Sequence, residues 1–184
     1  MEGSTSIYLR MIDYNSKALT SNGTFDDMIA AVDDVLDTKN DQFIRVSAFS
    51  GDVEQQLNIG SQSSGAGAGK ILFNPFRITK FADAVSPLLF ADAASGKAFK
   101  TVEVFFVNAR KIPEVRYTYK LVAIKAISWA AASGEQGTIE SISFEYGGLI
   151  ITVYPHNKGG STVVQAGWNR VKNVSDNDLN VIIT

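Results

Sequence analysis

Thr138-Ile139-Glu140-Ser141-Ile142-Ser143-Phe144-Glu145-Tyr146-Gly147-Gly148-Leu149-Ile150-Ile151-Thr152-Val153-Tyr154-Pro155 is the most informative stretch of the chain. Ile142, Phe144 and Tyr146 share one parity; Leu149, Ile151 and Val153 share the other. Apolar alternation of period 2 is the signature of a half-buried strand. The parity changes at Gly147-Gly148, which reads as a bulge within one long strand, although a Gly-Gly pair is also a hairpin signal. Before it, Ser133-Gly134-Glu135-Gln136-Gly137 makes a turn. Ahead of that turn Val115, Tyr117, Tyr119, Leu121 and Ala123 alternate in the same way and continue towards Trp129.

The same period recurs outward from this pair. Ile7, Leu9 and Met11 share a face in residues 6–13, and Ile44, Val46 and Ala48 in residues 43–50. In residues 70–81, Ile71 and Phe73 lie on one parity and Phe76 and Ile78 on the other. The switch straddles Pro75, which cannot donate to a ladder, so a bulge or bend is expected there. Residues 99–109 are rich in Val and Phe and read as a strand covered on both faces. Residues 161–168 and 178–184 are short candidate strands. Two segments read as helix. Ser86-Pro87 places a capping residue before a proline at the first helical position, and Ser95-Gly96-Lys97 ends that helix. In residues 25–36, Phe25, Met28, Ile29, Val32 and Leu36 line one stripe while Thr24 and Asp27 resemble a capping box. The fold expected is mainly β: an antiparallel β-barrel with one flanking helix and an extra helix at residues 25–36, in a single domain spanning residues 1–184.

Composition removes whole classes of function. The chain has 184 residues, 45% hydrophobic, without cysteine and with one histidine, His156. That excludes disulfides, thiolate metal sites and a cysteine nucleophile, and leaves His156 as a loop residue without ligands at metal spacing. A net charge of −2 carries no global footprint for nucleic acid. No apolar run approaches the roughly 20 residues of a membrane helix. Met1-Glu2-Gly3-Ser4-Thr5-Ser6 lacks the regions of a signal peptide, so the expectation is a soluble protein made in the cytoplasm, with neither membrane insertion nor nucleic acid.

The motifs with catalytic potential fail on their own spacing. Residues 60–70 are Gly-rich and end in Gly69-Lys70, but a phosphate loop needs glycine where Ser64 stands, Ser or Thr where Ile71 stands, and then a helix. A surface loop is the better reading. The acidic run from Asp26 to Asp41 lacks calcium-loop spacing and reads as a solvated helix face. No Gly-x-Ser-x-Gly elbow occurs. Glu103, Glu140 and Glu145 could pair as acid and base across strands, yet cross-strand charge pairing is the commoner explanation. The sequence therefore points to no catalytic residue, cofactor or metal.

At Gly67 the chain begins to resemble a known family. Gly-Ala-Gly-Lys-Ile-Leu-Phe-Asn-Pro-Phe-Arg-Ile-Thr-Lys-Phe-Ala-Asp (67–83), then Ser86-Pro87-Leu88-Leu89-Phe90 and Ser95-Gly96-Lys97-Ala98-Phe99, is similar to Hcp, the inner-tube protein of type VI secretion. The Tyr-rich strand of residues 117–133, the Glu-x-x-Ser-x-x-Phe-like strand of residues 140–155 and Gly167-Trp168-Asn169 come next, in the family's order. Residues 15–41 depart from it, with a helix where members have a short loop, and Phe49 stands near the place of a customary Trp. The resemblance implies a homo-hexameric ring that stacks into a tube inside contractile sheath proteins. It also implies a VgrG-type spike at the tip, small effector proteins in the lumen, and export without a signal peptide. It assigns the Gly-rich loop from about Asp52 to Gly69 to contact with a neighbouring ring, through Gln55, Gln56, Leu57, Gly65, Gly67 and Gly69. Two rival readings are the tail tube of a phage or other contractile particle, and a monomeric carbohydrate-binding barrel using Tyr14, Trp129 and Trp168.

Overall fold

In a computed structural model the chain is described over residues 5–17, 19, 43–56, 71–110, 112–131, 133, 137–154 and 163–178. The expected helix at residues 25–36 and His156 lie outside these. So do Leu57, Gly65, Gly67, Gly69 and the end of the last candidate strand.

Among the described residues eleven strands and one helix occur in order: β1 Ser6–Ile12, β2 Ile44–Val46, β3 Ala48–Ser50, β4 Val53–Gln55, β5 Ile71–Phe73, β6 Phe76–Phe81, α1 Ser86–Ser95, β7 Ala98–Val107, β8 Pro113–Ala130, β9 Ile139–Val153, β10 Val164–Asn169 and β11 Val174–Ser175. Every pairing is antiparallel. The ladder runs β1–β7–β8–β9–β6–β3. Because β2 pairs with β1, β3 pairs with β6 and only Ser47 separates β2 from β3, the circuit returns to its start. Ser47 N donates to Thr79 O at 2.7 Å and seals the junction. This is the circuit of the expected barrel, joined across β2 and β3 by the continuity of the chain through Ser47. β10 extends the sheet along the second half of β9, and β11 lies beside β10.

The interior is aromatic. Phe76 stacks on Tyr119 at 3.8 Å and on Phe144 at 4.7 Å between ring centroids, and Phe49 meets Tyr117 at 5.2 Å. Each such side chain contributes roughly 1.5–3 kcal/mol when fully buried. β7 is buried on both faces, as its composition predicted. Its outward side carries Phe105 and Val107, which cluster with Tyr8 and Phe43.

The two long strands differ from the pattern read in the sequence. Across Gly147-Gly148 the ladder to β8 runs unshifted, with Tyr119 opposite Leu149, Lys120 opposite Gly148 and Val122 opposite Tyr146. Even-numbered residues stay buried from Glu140 to Thr152. The expected change of inward parity is present, from Ile142, Phe144 and Tyr146 to Leu149, which faces Tyr119 and packs on the barrel core, whereas the expected bulge is absent because no residue is inserted. β8 changes side at the facing position: Leu121 has φ 51°, and the inward residues pass from Tyr117 and Tyr119 to Val122 and Ile124, so Leu121 and Ala123 leave the alternation read in the sequence. A Cβ on Gly147 would lie 3.0–3.1 Å from the Leu121 side chain, so glycine makes room for that turn of backbone. The true bulge falls between Ile124 and Ala126.

The break at Pro75 is confirmed and is larger than a bulge. β5 pairs with β4 in a separate two-stranded ribbon, whereas β6 enters the barrel. Helix α1 starts at Ser86, with Pro87 in its first turn, and ends at Gly96, whose φ of 68° supplies the left-handed cap. Ser86 does not cap it. Asp83 holds the entry, with its carbonyl accepting from Ser86 N and its Oδ1 from Val85 N, while the Ser86 hydroxyl turns elsewhere.

Candidate assembly surfaces

Of the predicted loop contacts, Gln55 ends β4 and Gln56 follows it, in a two-stranded ribbon separate from the barrel. Val53, Glu54 and Gln55 of β4 pair with Phe73, Leu72 and Ile71 of β5, so the Gly-rich segment joins the free ends of the two strands. Gln55 and Gln56 are exposed there, and Val53 is 50% exposed. A two-stranded ribbon alone is marginally stable, so its root has to be tied down. Asn74 does part of this, donating from Nδ2 to Asp52 Oδ2 at 2.6 Å and from N to Asp52 O at 3.2 Å. Arg170 does the rest. Its guanidinium carbon lies 4.7 Å from the Tyr146 ring centroid and 5.5 Å from that of Phe73, and Nη1 bonds Glu145 Oε1 at 2.7 Å. Burial pushes the Tyr146 hydroxyl up to about 12, against the pull of Arg170 beside it.

A second constellation carries no recognisable site motif in the sequence. Lys80, 1% exposed, points Nζ at Asp83 Oδ1 (2.8 Å), Phe81 O (2.9 Å), Glu140 Oε2 (3.0 Å) and Ser86 Oγ (3.1 Å). Ser86 Oγ donates to Glu140 Oε2 at 2.6 Å, and Trp129 Nε1 to Glu140 Oε1 at 2.9 Å. Burial works against the Glu140 charge, but the hydrogen bonds from Ser86, Lys80 and Trp129 outweigh it and hold the carboxyl below its ordinary value. An ammonium wrapped in acceptors is not a free base, and this set ties β6, β8, β9 and α1 together. One sequence signal does mark it: Lys80 falls on the inward parity of Phe76 and Ile78. A lysine there needs partners.

The three glutamates weighed as acid–base partners each hold a cation instead. Glu103 pairs with Arg10 and Arg116, Glu140 with Lys80, and Glu145 with Arg170 and Lys125. Tyr14, Trp129 and Trp168 form no common sugar-stacking platform. Trp129 lies opposite Glu140 and Trp168 opposite Leu149, about 30 Å apart along β9 at roughly 3.3 Å per residue.

Exposed apolar side chains collect in two places. Ile151 and Val153 of β9 and Val164 of β10 share one sheet face, with Val164 67% exposed. Phe90 of α1, 55% exposed, lies 6.3 Å between ring centroids from Trp129, which is 54% exposed. The patches lie at opposite ends of the β8–β9 hairpin. Clustered apolar exposure of this kind marks interaction surfaces.

The family model described as type VI secretion system effector, Hcp, matches residues 33–153, more than half of the chain. The chain belongs to the Hcp family. Solved structures share the fold. One, described as a type six secretion system protein, is 21% identical with a TM-score of 0.76, covering 94% of this chain and 100% of its own. Hcp1 from Salmonella typhimurium is 17% identical with a TM-score of 0.67, covering 96% and 100%. A chain of the anti-feeding prophage baseplate, a 6-fold symmetrised assembly, is 12% identical with a TM-score of 0.52, covering 80% and 93%. No curated protein sequence matches the chain. Membership in the Hcp family places the protein in type VI secretion and accounts for the ordered set of motifs.

Proposed function

We propose that this Hcp-family chain is a structural subunit of the inner tube of a type VI secretion system. Its copies form hexameric rings, and the rings stack into a tube that is expelled with a VgrG-type spike through a contractile sheath. Small effectors ride in the lumen. The family match over residues 33–153 carries this reading. The surfaces support it: a head-to-tail ring contact needs two different patches on each subunit, and the chain presents two apolar patches at opposite ends of its longest hairpin. β11 pairs with β10 only at Trp168 and Asn169, which leaves the 164–166 edge for a neighbour among the described residues. A tail tube of another contractile particle is the second reading, favoured by the baseplate chain. Neighbouring genes separate the two, with secretion-complex genes on one side and head and portal genes on the other.

Native mass measurement at micromolar concentration tests ring formation. A six-subunit particle is expected without added ligand, and a strictly monomeric species overturns the proposal. The ribbon carrying Gln55 and Gln56 is assigned to stacking between rings, with Leu57, Gly65, Gly67 and Gly69 beyond it. Glycine and serine predominate in residues 60–69 of the sequence, carry little side-chain bulk and permit close backbone approach. Deleting residues 61–68 is expected to leave hexamers of unchanged mass and to remove tubes from electron micrographs of concentrated protein. Tubes of normal length would take the loop out of the mechanism.

A further inference from the structure

We propose that Arg170 is a positioning residue that aims the β4–β5 arm, so that the C-terminal turn governs how rings stack. This rests on the reading that the arm makes the contact between rings. The arm leaves the barrel at Asn74 and Pro75, and as strands its two stems pair with each other in a sheet separate from the barrel's. A ribbon with so few partners pivots about its root unless a contact from outside its own ladder fixes the angle.

That outside contact is the Arg170 guanidinium. It occupies the gap between Phe73 on the stem and Tyr146 on the barrel wall, whose rings meet edge to face at 6.5 Å. Cations near aromatic faces attract, and the guanidinium carbon lies within that reach of both rings, nearer to Tyr146. The guanidinium is itself held. Nη1 bonds Glu145 Oε1 and the Tyr146 carbonyl, and Arg170 N donates to Gly147 O at 2.9 Å. The turn that carries it is fixed by Asn169, which is buried and accepts from Lys172 N at 3.0 Å. A continuous path therefore runs from the tail through Arg170 to the stem, and Arg170 joins the tail, the barrel wall and the arm.

The test compares four variants with the wild type: Arg170→Met, Phe73→Leu, these two combined, and the deletion of residues 61–68. Ring mass is read by native mass spectrometry, tube content by sedimentation and electron microscopy, and stem order by hydrogen exchange at Val53–Gln55 and Ile71–Phe73. Arg170→Met is expected to keep the hexamer, to cut the sedimenting tube fraction about tenfold, and to speed exchange in both stem strands. Phe73→Leu removes the arm's side of the contact while Arg170 keeps Glu145 and the Tyr146 carbonyl, and it is expected to do the same. The double variant should be no worse than either single one, because both break one contact. Wild-type tubes and unchanged stem exchange in Arg170→Met and Phe73→Leu overturn the proposal, as do effects that add independently. If the deletion abolishes tubes and the two point variants do not, the clamp alone falls. If the deletion also stacks normally, the stacking role of the arm falls with it. Should Arg170→Met not fold, Phe73→Leu decides.

Discussion

Lys80→Met is expected to cost about 3–5 kcal/mol of stability, because it leaves a buried carboxylate without its cation. In a domain of this size that lowers the melting temperature by on the order of 10 °C. Glu140 keeps Ser86 and Trp129 as donors, but the ammonium that also satisfied Asp83 and the Phe81 carbonyl is gone. Combining Lys80→Met with Glu140→Leu should recover much of the loss, since an apolar pair carries no desolvation cost.

The pH dependence of the same network has a definite sign. The folded state holds Glu140 below its ordinary value of 4.5. Its stabilisation is therefore present above that value and fades as pH falls through the lower, folded one. Wild-type protein loses this contribution below about pH 4.5. In Lys80→Met the carboxylate is buried without its cation, its pKa rises, and acidification from neutral pH relieves the variant. Thermal unfolding of both proteins between pH 4 and 7 should show the gap between them narrowing as pH falls. A constant gap would mean that Lys80 acts by packing alone.

Gly167→Ala is the second large effect. A Cβ there would stand 2.2 Å from the Asp176 carbonyl oxygen and 3.0 Å from Ile150 Cγ1. The first neighbour is backbone and cannot rotate away. Gly167 also accepts from Asp176 N at 3.0 Å and donates to Asn177 Oδ1 at 2.9 Å. Even one methyl must push residues 174–178 off β10, at a cost on the order of 2–3 kcal/mol. Fast exchange at the Asp176 amide, with β6 and β7 still protected, is the expected signature. Wild-type protection at Asp176 would show that the tail relaxes around the methyl.

The sequence by itself determined the β class, the long hairpin, the break at Pro75 and the Gly96 stop of α1, because alternation and turn chemistry are local properties of the chain. Gly167-Trp168-Asn169 was legible as part of an ordered family pattern, while the reason for its glycine is a strand that passes within contact distance only after folding. Local parity is a true guide at Gly147-Gly148 for Leu149, which packs on the barrel core, but not for burial further along: Ile151 and Val153 end on an exposed patch while Ile150 and Thr152, on the other face, are covered. Which side of a strand is buried depends on what packs over it, and here both sides have a claim. Ser86 reads as a helix cap until Glu140, far away in sequence, offers its hydroxyl a charged acceptor at 2.6 Å. The closing of the barrel through Ser47, the left-handed turn at Leu121 and the Arg170 clamp were decided by tertiary structure alone. Each exists only between residues distant in sequence, and the fold brings them together to satisfy backbone hydrogen bonds, buried charge and apolar area at the same time.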